Sequence, residues 1–237
     1  MNTQESATAY QTDRQAGSAL EVVEISTGPA PTAAVIWLHG LGADGHDFEP
    51  VVPQLMWPGA PDIRFVFPHA PVRPVTINEG MEMRAWYDIV SITLGRDHDQ
   101  QGIAQSVNQA AALIGLERER GIAADRIVLA GFSQGGAIAI QLAIRYPETL
   151  AGLIALSTYM LLDHRLENDR LEANRSLPVF FGHGKSDPMV PCRLGETAAE
   201  RLRSMGHPVE WHSYPMQHSV CPQEIADLSA WLQNCLA

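Results

Sequence analysis

The sequence predicts a single α/β domain in which a mainly parallel central sheet is covered by helices on both faces. Short runs of β-branched and apolar residues alternate with segments of helical spacing, and most of those runs are apolar on both sides, as strands covered by helices must be. No linker rich in Pro, Ser or charge and no internal repeat divides the chain. A length of 237 residues suits one such domain, and 46% apolar against 18% charged residues supplies a large core. Residues 1–30 read as an N-terminal extension and first strand, and residues 31–237 as the domain that carries the chemistry.

The elements follow in order. Leu20-Glu-Val-Val-Glu-Ile25 alternates like a half-exposed strand, and Gly28-Pro-Ala-Pro31 turns the chain. Ala33 to Leu38 is a strand buried on both faces, running into His39-Gly-Leu-Gly-Ala-Asp-Gly45. After the strand Ile63 to Phe67, the stretch from Pro71 to Asp99 is irregular and carries Met81, Met83, Trp86 and Tyr87 among polar residues. Ile103, Val107, Ala110, Ala111 and Ile114 predict a helix over 102–120, stopped by Gly121. A strand from Ile127 and a helix to Ile144 come next, then the strand Ala151 to Leu156, the segment Ser157-Thr-Tyr-Met-Leu-Leu162 and a polar loop to Ser176. The strand Leu177 to Gly182, a helix over about 194–205, the strand Val209 to Tyr214 and a helix over 222–236 complete the pattern.

Charge and composition exclude several classes. A net charge of -11 and a pI near 5.2 leave no Lys/Arg cluster to neutralise phosphates, so no nucleic-acid partner is expected. The stretch Met1 to Gln15 has no basic or apolar segment of the signal-peptide kind, and the longest nearly apolar run, Ala151 to Leu162, is too short to span a bilayer. A cytoplasmic protein without a membrane span is the expectation. Cys192, Cys221 and Cys235 are widely spaced and unpaired in pattern, and read as reduced thiols with neither a zinc site nor a disulfide framework.

The pattern that concentrates chemistry is Gly131-x-Ser133-x-Gly135, lying between an apolar strand and an apolar-periodic helix. The glycines permit a turn tight enough to hold the serine in strained geometry with its oxygen exposed, which makes Ser133 the candidate nucleophile. By chance the bare pattern arises in roughly one chain in ten of this length, so its strand-turn-helix context is what gives it weight. Gly40-x-Gly42-x-x-Gly45 formally matches a dinucleotide fingerprint, but Pro50 and Pro53 interrupt the helix it requires. The next strand ends in Pro68-His69 with no acidic residue for a ribose. The loop reads better as the source of an oxyanion-binding amide, Leu41, paired with the amide following the nucleophile, Gln134.

A serine hydroxyl needs a base, and the base needs a third group to fix its tautomer. In hydrolases with such an elbow the partners follow as Ser, Asp or Glu, then His. Asp187, just beyond one strand, and His218, just beyond the next, fit that order at one sheet edge. Asp163 and Asp169 lie one strand too early, His207 lies at the opposite edge, His212 is inside a strand, and His183 precedes the acid and reads as structural.

Taken together, Leu38-His-Gly-Leu-Gly42, Phe67-Pro-His-Ala-Pro71, Ala85-Trp-Tyr-Asp-Ile89, Gly131-Phe-Ser-Gln-Gly-Gly136, His183-Gly-Lys-Ser-Asp-Pro188 and Tyr214-Pro-Met-Gln-His218 make this chain resemble the phospholipase/carboxylesterase family of the α/β-hydrolases. The likeness is to its carboxylesterase and acyl-protein thioesterase branch, and to bacterial carboxylesterases in particular, from Val35 to Leu236. The resemblance implies Ser133, Asp187 and His218 as a triad, with Leu41 and Gln134 as oxyanion donors and no cofactor or metal.

The expected activity is hydrolysis of small to medium acyl esters through an acyl-enzyme, with acyl-protein thioesterase or lysophospholipase activity as the alternative in the same site. Soft and aromatic side chains suit an acyl chain, so Trp86, Met160 and Leu161 are expected to line a shallow apolar groove, whose exposure would favour a homodimer. A reading of another class, a non-catalytic lipid- or partner-binding protein on the same fold, has no need of the trio Ser133, Asp187 and His218.

Overall fold

The computed structural model describes residues 20–90, 99–161, 166 and 169–237. The polar start up to residue 19, the end of the irregular stretch (91–98), Leu162 and Asp163 lie outside the described residues.

Apolar strand runs become the sheet. β1 (Val22–Ser26), β2 (Ala33–Leu38) and β3 (Ile63–Pro68) are joined by β6 (Ile127–Phe132), β7 (Gly152–Leu156), β8 (Val179–Gly184) and β9 (Val209–Tyr214). Among the described residues the strand order is β1-β3-β2-β6-β7-β8-β9. Among the described strands of this sheet only β1 runs antiparallel, pairing Val22 with Pro68 and Ser26 with Arg64. β2, β6, β7 and β8 are buried at every position, as the doubly apolar runs require.

Helices cover both faces. α2 (Gln100–Glu119), α3 (Gln134–Arg145) and α4 (Cys192–Ser204) pack on one side around Ile36, Leu129, Ala155 and Phe181. The one-turn α1 (Val52–Leu55) and α5 (Pro222–Leu236) pack on the other around Trp37, Phe65, Val128 and Phe180. α2 starts where the Asp99 carboxylate accepts from the Gly102 amide at 2.8 Å, and α2 and α4 end before Gly121 and Gly206, whose φ values of 94° and 97° suit residues without a Cβ. Among the described residues no helix is long and apolar enough to cross a membrane.

The structure amends the sequence reading of the irregular stretch. The stretch from Pro71 contains an antiparallel hairpin, β4 (Val72–Val75) with β5 (Met81–Arg84), turned through Glu79 and Gly80 at φ 57° and 78°. Each strand has four residues, one contains Pro74, and Val72 and Met81 face outward, so neither shows the core-facing alternation that marks a strand.

Candidate active site

Parallel strands direct their carboxyl ends to one rim, and the residues of interest lie on loops there: Leu41 after β2, Ser133 after β6, Asp187 after β8 and His218 after β9. Ser133 has φ 53° and ψ -120°, a conformation costly for a residue with a Cβ. The surroundings impose it. A Cβ on Gly131 would come within 2.5 Å of the Gly135 and Gly136 backbone, and one on Gly135 within 2.3 Å of Leu38 O, so both glycines are required by the close approach of α3 to β6 and β2. The Ser133 amide donates to Leu156 O at 2.9 Å, and its carbonyl accepts from Thr158 Oγ1 at 2.6 Å. The turn is therefore clamped on both sides of Cα while the side chain stays partly exposed.

The acid and base read from the sequence meet. His218 Nδ1 donates to Asp187 Oδ2 at 2.7 Å, while Oδ1 accepts the amides of Met189 and Val190, each at 2.8 Å. The carboxylate is buried within its own turn, and this bonding fixes both its rotamer and the imidazole tautomer. The two loops are also joined through the backbone: Lys185 N donates to Tyr214 O at 2.8 Å and Ser186 N to Met216 O at 3.1 Å. Beneath His218 lies Phe132, with ring centroids 4.7 Å apart, so the imidazole rests on the residue preceding Ser133.

The three histidines weighed against His218 have packing partners of their own. His183 is fully buried, donates from Nε2 to Val190 O at 2.8 Å, and occupies the space that a Cβ on Gly195 would fill. Burial lowers its pKa. His207 is buried 3.4 Å from Leu177 O, and desolvation lowers its pKa as well. His212 stacks on Phe180 at 4.8 Å.

The loop after β2 approaches the serine closely, since a Cβ on Gly40 would be 3.5 Å from Ser133 Cβ. His39 holds this loop: Nδ1 donates to Gly40 O at 2.7 Å and Nε2 accepts from Ala70 N at 3.0 Å. Burial lowers its pKa to about 4, which keeps the ring neutral. Gly42, at φ 77°, donates to Arg84 O at 2.9 Å. Among the described residues the amides of Leu41 and Gln134 have no acceptor within the protein, as free oxyanion donors would. Gly45 packs against β3, where a Cβ would lie 2.5 Å from Phe67 O, so the three glycines serve the turn rather than a pyrophosphate.

The expected groove residues require correction. Trp86 and Leu161 are both 0% exposed, so neither offers a surface to an acyl chain, whereas Met160 is partly exposed beside the core. Trp86 is buried because both of its N–H groups find acceptors inside, His39 O and Gln134 Oε1, each at 2.8 Å. Sequence reasoning missed the Gln134 side chain, whose Nε2 donates to Tyr87 O at 2.8 Å, and the buried Tyr87–Tyr159 hydroxyl pair at 2.6 Å. Met83, named in the irregular stretch, lies beside Gly42, whereas Met189, 72% exposed next to Asp187, carried no signal in the sequence reading. Among the described residues no group of three or more His, Cys, Asp or Glu converges as metal ligands would.

A sheet of this order with Ser133 on its elbow defines a serine hydrolase of the α/β-hydrolase fold. The chain belongs to the phospholipase/carboxylesterase family, whose pattern matches residues 19–236. It is 39% identical to acyl-protein thioesterase 1 of Cryptococcus neoformans over 236 residues, covering 92% of this chain and 99% of that one. It is 40% identical to acyl-protein thioesterase 1 of Neurospora crassa over 86% of this chain and 87% of that one. Among solved structures, Arabidopsis thaliana SOBER1 superposes with a TM-score of 0.81 at 29% identity, over 86% of this chain and 99% of that one. Zea mays acyl-protein thioesterase 2 gives 0.79 at 25% identity, over 92% and 100%. The family resemblance thus holds, while these curated relatives are fungal thioesterases, which moves the emphasis away from bacterial carboxylesterases.

Proposed function

We propose that the chain is a serine hydrolase that removes acyl groups from thioester-linked substrates, with carboxylic esters cleaved by the same steps. Ser133 attacks the acyl carbonyl, His218 takes its proton and passes it to the leaving thiol or alcohol, and Asp187 orients and stabilises the imidazolium. The amides of Leu41 and Gln134 bind the oxyanion, and water activated by His218 releases the acid. The catalytic unit is residues 31–237, with residues 1–30 adding an edge strand. The partner is a small or lipid-like acyl substrate, bordered by Met83, Met160 and Met189.

The observation that carries this reading is the His218–Asp187 hydrogen bond at 2.7 Å, seated on Phe132 immediately before a serine strained at positive φ. The thioester preference, placed ahead of the carboxylesterase reading that the sequence favoured, is supported by relatives whose names specify acyl-protein thioesters. The test is hydrolysis of matched thioesters and oxygen esters from acetyl to palmitoyl, by the parent and by Ser133→Ala. A parent kcat/KM higher on the thioester of each pair is expected, and an equal or lower value removes that preference. Undiminished turnover by Ser133→Ala removes the whole reading.

A further inference from the structure

Trp86 belongs to no strand or helix, yet it touches both segments that carry the proposed oxyanion donors. Its indole Nε1–H donates to His39 O at 2.8 Å, two residues before the Leu41 amide, and its ring lies 5.3 Å from the His39 imidazole. Its backbone N–H donates to Gln134 Oε1 at 2.8 Å, on the residue whose own amide opens α3. Gln134 Nε2 returns a bond to Tyr87 O at 2.8 Å, and Ser106 Oγ of α2 donates to Trp86 O. These groups are closed to solvent, with Trp86 at 0% and Gln134 at 1% exposure, so water offers no substitute partners.

We propose that Trp86 is a positioning residue that sets the spacing between the Leu41 and Gln134 amides, so that the oxyanion hole exists before substrate arrives. This inference rests on the reading of the site given above. The two donors sit on chain segments more than ninety residues apart, and the loop bearing Leu41 is flanked by two glycines. An oxyanion donor acts only within roughly 2.7–3.1 Å of the developing charge, so a small relative shift of the two segments weakens one of the pair. The contact of Gly42 with Arg84 restrains the loop alone. Trp86 ties the loop to the elbow directly, and its energetic effect therefore falls on the transition state more than on substrate binding.

The test deletes the indole N–H. Trp86→Phe does so with loss of volume, and replacement of Trp86 by benzothienylalanine does so at constant shape, keeping the experiment decisive if the smaller ring fails to pack. Each variant is compared with the parent and with Ser133→Ala on a short acyl ester, with active sites counted by fluorophosphonate labelling. For the shape-preserving variant, kcat per labelled site is expected to fall about tenfold, KM to stay within about twofold, and affinity for a trifluoromethyl ketone to fall with kcat. A kcat per labelled site within about twofold of the parent overturns the proposal, as does a loss confined to KM or to the number of labelled sites. Activity retained by Ser133→Ala would instead remove the underlying reading of the site.

Discussion

His218 Nδ1 lies 2.7 Å from Asp187 Oδ2 while the other oxygen of that carboxylate is bound by the Met189 and Val190 amides. The carboxylate thus has a fixed side and a working side. Because two amides hold Oδ1, Asp187→Asn is expected to keep its carbonyl there and turn its NH2 toward His218, favouring the wrong imidazole tautomer. The expected result is a fall in kcat of about 10³–10⁴ with little change in melting temperature. Steady-state kinetics beside a thermal melt check it; a loss below tenfold contradicts the assignment.

The elbow glycines differ sharply from the helical Gly115. A Cβ on Gly135 would lie 2.3 Å from Leu38 O, whereas one on Gly115, within α2, meets nothing within 4 Å. Gly135→Ala is therefore expected to abolish activity and to lower stability by several kcal/mol, because backbone, not a movable side chain, must yield. Gly115→Ala is expected to raise stability by about 0.5–1 kcal/mol and leave turnover unchanged. Denaturant titration of the two variants checks the pair.

Glu224 is a fully buried carboxyl with neither oxygen partnered among the described residues, packed against Gly182. Burial, aided by Asp227, pushes its pKa from 4.5 up to about 8. The folded chain then keeps a proton that the unfolded chain releases, so the contribution of Glu224 to stability is whole below pH 4.5 and declines toward pH 8. At its steepest the decline is about 1.4 kcal/mol per pH unit. Glu224→Gln is expected to melt higher than the parent at pH 8, with the gap narrowing by pH 4.5. A gap that does not change with pH contradicts the protonated state.

For His39 the sign is opposite. Its folded pKa of about 4 lies below the ordinary 6.5, so its contribution is whole above pH 6.5 and is lost as pH falls through that window. Nitrogen NMR of the imidazole at pH 6 is expected to show a neutral ring with its proton on Nδ1. A charged ring there would contradict the hydrogen bonds to Gly40 O and from Ala70 N.

The sheet was legible because β2, β6, β7 and β8 are apolar on both faces, a pattern that only a helix-covered strand tolerates. The hairpin of β4 and β5 was not, because strands of four residues with exposed Val72 and Met81 owe their pairing to backbone hydrogen bonds rather than to burial. Ser133, Asp187 and His218 could be singled out because each follows a strand of the parallel set, and parallel strands all deliver their ends to one rim. Trp86 was misread for the opposite reason: an aromatic residue in an irregular stretch is compatible with a groove or with the core, and its spacing does not distinguish them.

The sequence by itself therefore determined the layered fold and the rim at which Ser133, Asp187 and His218 lie, since these depend on local periodicity and chain order. Tertiary structure alone decided which side chains at that rim stay exposed and which are buried beneath it. Trp86 turned inward because His39 O and Gln134 Oε1, distant in the chain, converge on its two N–H groups. Met83 came to lie beside Gly42 for a similar reason, the packing of the β5 strand against a loop some forty residues earlier in the chain. Burial and hydrogen-bond partnership are set by such long-range meetings, which local sequence pattern does not encode.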